Sequence, residues 1–224
     1  RSELIATEHL TDGRAVARHR GLDAFVARLP GGAPVLCATS GMGAPSTSIV
    51  VNELVQAGIT TIIRVGTSGS IQPHVTTGSV VVAHAAVATQ GAARDLAPPD
   101  FPAVADPRLT VALADAADRL GVPHHVGIVA STDTFFEGQE RTESSAHPHL
   151  LRRLQGTIDE YRHLGVLSFE MEAATLFTAG SVYRFRAGCV LAIVAQRGEA
   201  EQPDRSVIDT AVDDAVRVGV AAAD

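Results

Sequence analysis

Short apolar runs alternate along the chain with longer Ala/Leu-rich segments. Residues 35–39, 60–65, 79–83, 126–130, 166–169 and 189–194 are β-branched or otherwise apolar, several with no polar alternate, as strands buried on both faces are. Residues 45–57, 107–120, 172–179 and 206–222 carry helical spacing instead. In the second of these, Leu109, Ala112, Leu113, Ala116 and Leu120 recur at intervals of three and four and line one face for a core. Strands alternating with helices predict an α/β fold with a mostly parallel sheet covered on both faces. No internal repeat or low-complexity linker divides the chain, so residues 1–224 are expected to form one domain. The polar breaks at 92–99, 134–145 and 196–204 then read as loops on a rigid sheet, where sites usually lie.

Composition narrows the function classes. With 224 residues, 46% hydrophobic and 19% charged, the chain can bury a substantial core. Its net charge of -7, with arginines scattered singly, argues against a nucleic-acid partner. Cys37 and Cys189 lie in apolar runs without CxxC or metal-ligand spacing and read as buried thiols of a reducing compartment. The apolar run 189–195 is too short to cross a bilayer and no charged-then-apolar leader opens the chain, so no membrane is expected and the cytoplasm is the default location. His19, His74, His84, His124, His125, His147, His149 and His163 show no metal-ligand spacing and read as surface or structural residues.

Candidate chemistry gathers at strand ends. Glu170-Met171-Glu172 follows the apolar stretch 165–167 and precedes a helix, which places two carboxylates at the edge where open α/β sheets bind ligands. A favourable helix N-terminus explains the same acids structurally. Ser40-Gly41-Met42-Gly43 also joins a strand to a helix, either as a tight turn or as backbone N–H groups open to an anion. Arg64, in Ile63-Arg64-Val65-Gly66-Thr67, sits inside an apolar strand, and a guanidinium there requires an anion, whether a carboxylate or a ligand. Thr67 adds a hydroxyl in the same turn. Phe135, Gln139 and Arg141 offer a flat apolar face, an amide that donates and accepts, and a pure donor, a set suited to a planar heterocycle with carbonyl oxygens and a ring N–H. An ordinary polar loop with one buried Phe is the competing account.

From about residue 20 to residue 203 these motifs resemble the nucleoside phosphorylase superfamily, through Gly43-Ala44-Pro45-Ser46-Thr47-Ser48, Arg64-Val65-Gly66-Thr67, Gly138-Gln139-Glu140-Arg141 and Glu170-Met171-Glu172. The combination of Phe135, Gln139 and Arg141 resembles the uracil pocket of its uridine phosphorylase branch. The resemblance implies a mixed, mostly parallel central β-sheet flanked by helices and reversible phosphorolysis of uridine to uracil and ribose 1-phosphate. It also implies that Arg64, Thr67, Arg1 and Arg20 bind phosphate, Arg20 by reaching into an adjacent subunit. Thr67, Glu170, Met171 and Glu172 would meet the ribose. Phe135, Gln139, Arg141, Val194, Ala195 and Arg197 would surround the base, with Pro203 in a lid beyond them. Arg141, Gln139, Glu172 and Arg64 carry the catalytic expectation. Phosphate is the co-substrate and no cofactor is needed. A homo-oligomer built from dimers, up to a hexamer, is the expected assembly.

Departures from the pattern bear on these expectations. Gln196 stands where purine-specific relatives carry an aspartate, and an amide cannot protonate a purine at neutral pH. Gly21 replaces a glutamate that helps hold a monovalent cation at the dimer interface, which weakens the expectation of a potassium site near Ser46 and the Met42 carbonyl. Arg1 aligns with the arginine that closes the family's first phosphate loop, so the first strand, the loop glycine and a histidine before them are expected to lie outside this chain. A hydrolytic nucleosidase, a purine nucleoside phosphorylase and a non-catalytic nucleoside-binding homologue are the alternatives.

Overall fold

A computed structural model describes residues 1–197 and 205–224. The chain opens with α1 (Ser2–Leu4) and a π-helical turn, then forms three strands, β1 (Thr11–Ala17), β2 (Ala24–Arg28) and β3 (Pro34–Ala38). After α2 (Ala44–Gln56) come β4 (Thr61–Ser70), β5 (Val80–Ala88), α3 (Gly91–Leu96), α4 (Pro107–Leu120) and β6 (His124–Ser131). The remainder is α5 (Thr157–His163), β7 (Ser168–Glu170), α6 (Ala173–Tyr183), β8 (Arg186–Gln196) and α7 (Arg205–Ala223).

The α/β class is as expected, but the sheet is two sheets. β1, β2 and β3 form an antiparallel meander, and β4-β7-β6-β5-β8 closes into a barrel. Around the barrel β4 pairs with β8, β5 with β6 and β6 with β7 in parallel, while β4–β7 and β5–β8 are antiparallel. Closure removes the open edges that an unclosed sheet would present. β1, exposed along its whole length, has no buried face and therefore no hydrophobic signature in the sequence. α3 occupies part of the segment expected as a loop at 92–99, and α5 is a further short helix without a strong apolar stripe.

β8 shows why its sequence runs apolar without alternation. Cys189, Leu191 and Ile193 enter the core shared with α6, while Val190, Ala192 and Val194 pack on the opposite side with residues of α4 and α7. Burying both faces excludes water from the strand and stiffens the barrel ends that carry the site. α4 begins as its sequence dictates, with Asp106 accepting from the N–H groups of Arg108 and Leu109 at 3.0 Å, and ends at Gly121 in the left-handed region. Among the described residues no helix is long and apolar enough to cross a membrane.

Candidate active site

Arg64 lies midway along β4, and its guanidinium folds back over Gly66. A Cβ on that glycine would stand 2.8 Å from the guanidinium carbon, so only glycine leaves the space. Two carboxylates meet the arginine: Nε donates to Glu170 Oε2 at 3.3 Å and Nη2 donates to Glu172 Oε2. Burial alone would lower the Arg64 pKa, but the facing Glu170 and Glu172 outweigh it and raise it. Arg64 is therefore a permanent cation in a nearly dry place, its side chain only 15% exposed.

The two glutamates beside Met171 do different work. Glu170, whose side chain has 0% exposure, ends β7 and faces inward. Its Oε2 also accepts from the N–H groups of Glu172 and Ala173, each at 2.9 Å, and its Oε1 accepts from the Ser131 hydroxyl. With no exposed side-chain surface and both oxygens held from within the fold, Glu170 is turned away from its expected ribose contact. Burial pushes its carboxyl up from the ordinary range against the pull of Arg64. The hydrogen bonds from the Ser131 hydroxyl and the Glu172 N–H also oppose burial, pulling toward the carboxylate form. Glu172 has one oxygen on Arg64 and the other on the N–H of Gly43 at 2.5 Å. That links the glycine turn before α2 to the start of α6. Gly43 adopts φ 82 there, a backbone conformation that glycine takes without strain.

A second cation approaches the same strand. Arg1 Nη1 donates to the Val65 carbonyl at 3.4 Å, and desolvation followed by the charge of Arg64 lowers its pKa. Arg1 thus adds a second guanidinium beside the strand, against the two carboxylates that already face Arg64.

The base-reader candidates meet at the far end of β4. The buried Gln139 donates from Nε2 to Thr132 Oγ1 at 3.2 Å and accepts at Oε1 from Arg141 Nε at 3.4 Å. The Arg141 guanidinium carbon lies 4.1 Å from the centroid of the Phe135 ring, and Phe135 meets Phe136 edge-on. Arg141 and Arg197 both lie over Gly69, where a Cβ would come within 3.4 Å of Arg141 Nη2 and 3.8 Å of the Arg197 stem. The Arg197 backbone N–H donates to Ser70 and its Nη2 to the Glu140 carbonyl, tying the end of β8 to the loop. Thr67 lies between the two clusters, about 10 Å along the strand from Arg64.

Several supports carried no clear mark in the sequence. Glu140 takes a left-handed backbone, φ 49, and its carboxylate accepts from the N–H groups of Gly156 and Ile158 at 2.6 and 2.7 Å, fastening the aromatic loop to the start of α5. The fully buried Gln90 donates to the Met171 carbonyl at 2.5 Å and accepts from Thr175 at 2.8 Å, which fixes the chain between the two glutamates. Gly43 stands in the glycine turn and Ser131 just after the apolar run 126–130, but only their contacts distinguish them.

Other predicted residues sit apart. Arg20 lies exposed in the turn between β1 and β2 with φ 53, and it has no ion-pair partner among the described residues. Val194 and Ala195 form the end of β8, half-buried, where the pairing with β4 is irregular. Gln196 donates to the Gln72 and Pro73 carbonyls. Pro203 lies outside the described residues. Ser46 donates to the Ser40 carbonyl at 2.7 Å, the Met42 side chain is 90% exposed, and Gly21 offers no carboxylate.

Comparison with known proteins gives the arrangement its context. Residues 2–223 match the family described as the Phosphorylase superfamily. The chain is 43% identical over 208 residues to the uridine phosphorylase of Salmonella typhimurium, covering 93% of this chain and 81% of that protein. It is 42% identical over 187 residues to the uridine phosphorylase of Thermococcus kodakarensis, covering 83% and 66% respectively. The guanosine phosphorylase of Halorubrum lacusprofundi is 31% identical over 182 residues, covering 81% and 69%. With its Arg64 and Glu172 at the middle of β4, its Phe135, Gln139 and Arg141 at the end of that strand, and a family match running nearly end to end, the chain belongs to the phosphorylase superfamily.

Proposed function

We propose that the protein catalyses the reversible phosphorolysis of uridine, a step of pyrimidine salvage, and so is a pentosyltransferase. The observation that carries this reading is the Phe135-Gln139-Arg141 cluster at the end of the strand that also bears Arg64. Similarity to uridine phosphorylases over most of the chain supports the same substrate.

In this mechanism inorganic phosphate is held by Arg64, Thr67 and Arg1, with Arg20 supplied by an adjacent subunit. Glu172 accepts from the ribose hydroxyls while Met171 and Thr67 complete the sugar wall. Uracil lies against Phe135, read by Gln139 and Arg141, with Val194, Ala195 and Arg197 around it. A phosphate oxygen attacks C1′ as the bond from C1′ to N1 of the base breaks. The bonding pair leaves on uracil, spread over its carbonyl oxygens and ring nitrogen, and N1 is then protonated from water. Arg141 and Gln139 stabilise that charge, while Glu172 faces the positive charge building on the sugar. No covalent enzyme intermediate takes part, and no cofactor is required. The working unit is a homo-oligomer built from dimers, up to a hexamer, in the cytoplasm, where Cys37 and Cys189 remain free thiols.

Incubation with uridine in the presence and absence of phosphate tests the reading. Uracil and ribose 1-phosphate should form only when phosphate is present; phosphate-independent release of uracil would identify a nucleosidase instead. Guanosine belongs in the same assay because of the Halorubrum relative, and it should be consumed far more slowly, since Gln196 cannot serve as a proton donor for a purine.

A further inference from the structure

We propose that Ser131 and Glu170 are positioning residues that hold Arg64 in the orientation needed to receive phosphate; this rests on the anion-binding reading of Arg64 above. Ser131 closes β6 and is fully buried. Its hydroxyl donates to Glu170 Oε1 and accepts from the Ala174 N–H at 2.9 Å, so a single oxygen joins β6, β7 and the first turn of α6. Glu170 carries the connection onward, its Oε2 receiving Arg64 Nε at 3.3 Å. Neither side chain reaches a surface that a substrate can touch.

A guanidinium is a rigid plane with five N–H donors, so fixing its Nε edge fixes where the remaining donors point. A carboxylate, however, turns readily about its terminal bond, which is a broad, nearly twofold rotor. Left to itself, Glu170 could rotate and release Arg64. Ser131 holds Oε1 while the N–H groups of Glu172 and Ala173 hold Oε2, and that rotation is blocked. Glu172 differs in having its side chain 8% exposed and in meeting Nη2, not Nε, so its contact is the one that an arriving anion can replace without freeing the Nε edge. Preorganisation of this kind lowers the cost of ordering a donor on binding.

The test compares the affinities of the full chain for inorganic phosphate and for uracil, each alone, by calorimetry. Ser131→Ala should weaken phosphate about tenfold, the scale of one charge-assisted hydrogen bond, and change uracil affinity by less than about twofold. Ser131→Thr, which keeps the hydroxyl, should restore phosphate binding. In an Arg64→Ala background, Ser131→Ala should have no further effect on phosphate, because Ser131 acts through Arg64. Equal weakening of phosphate and uracil, or a full Ser131→Ala effect without Arg64, overturns the proposal. If the alanine variant does not fold, Ser131→Cys, a weaker donor, should give an intermediate loss of phosphate affinity, and an unchanged affinity overturns the proposal. Should Arg64→Ala alone leave phosphate affinity unaltered, the anion-site reading fails and the positioning role falls with it. If Arg64→Ala abolishes phosphate binding while Ser131→Ala does nothing, only the positioning role fails.

Discussion

Around Arg64 the polar contacts cross between distant parts of the chain, whereas the side-chain bonds joining Thr132, Gln139 and Arg141 run within one loop, which Glu140 ties to Gly156, Ile158 and Arg197. Arg64 and Glu170 are 106 residues apart and Gly43 and Glu172 are 129 apart, against 7 for Gln139 and Thr132 and 2 for Arg141 and Gln139. The first region is buried and draws on β4, β6, β7, α2 and α6. The second is partly open, with Phe135 and Phe136 about two-fifths exposed, as their 44% and 40% values show. The contrast teaches how work is divided within a site. A charge kept dry must be surrounded by fixed partners, which only packed elements supply. A planar ligand can be met by a few residues of one loop, provided the loop is anchored at its base.

Several changes would break or sharpen that contrast. Glu170→Ala should have the largest effect, destabilising the fold by about 3–5 kcal/mol, because it strips Arg64 of a buried partner and leaves the N–H groups at the start of α6 unsatisfied. Urea unfolding measures this, and a loss of under about 1 kcal/mol would mean that the buried network is not structural. Arg141→Ala should do the reverse, leaving the unfolding midpoint nearly in place while cutting uridine turnover about a hundredfold or more, roughly 3 kcal/mol of transition-state stabilisation. Near-normal turnover would remove Arg141 from the chemistry. Glu140→Ala falls between the two regions: losing its two backbone contacts should cost about 1 kcal/mol of stability and raise the uracil dissociation constant, since the loop is released from α5. An unchanged uracil affinity would show that the loop keeps its shape without that tether.

The smallest effect expected comes from outside both regions. His125 lies edge-on to His74 at 5.7 Å between ring centroids, and desolvation followed by the charges of His74 and His124 lowers its pKa. A histidine with a folded value below its unfolded one binds more protons when unfolded, so its contribution is present above about pH 6.5 and is lost as pH falls through the lowered folded value. Wild-type stability should therefore decline on acidification through this window, and His125→Gln should flatten part of that decline. Identical pH profiles for the two proteins would exclude the histidine as the source.

The sequence by itself determined the elements that bury a face. Residues 189–194 read as a doubly buried strand because both sides of β8 meet cores, and residues 107–120 read as a helix because one stripe is apolar. It also located Arg64, since an arginine in an apolar strand demands an anion, and it grouped Phe135, Gln139 and Arg141, since a loop reader is local. It could not show β1, which buries nothing, or the closure of the barrel, which depends on the pairings of β7 with β4 and β8 with β5. Nor could it separate the two glutamates beside Met171, which are alike in chemistry and two positions apart. Tertiary structure alone decided that Glu170 turns inward to Ser131 and the N–H groups of α6 while Glu172 reaches Gly43 and the edge of the site, because each carboxylate's role is set by the donors that distant elements bring to it.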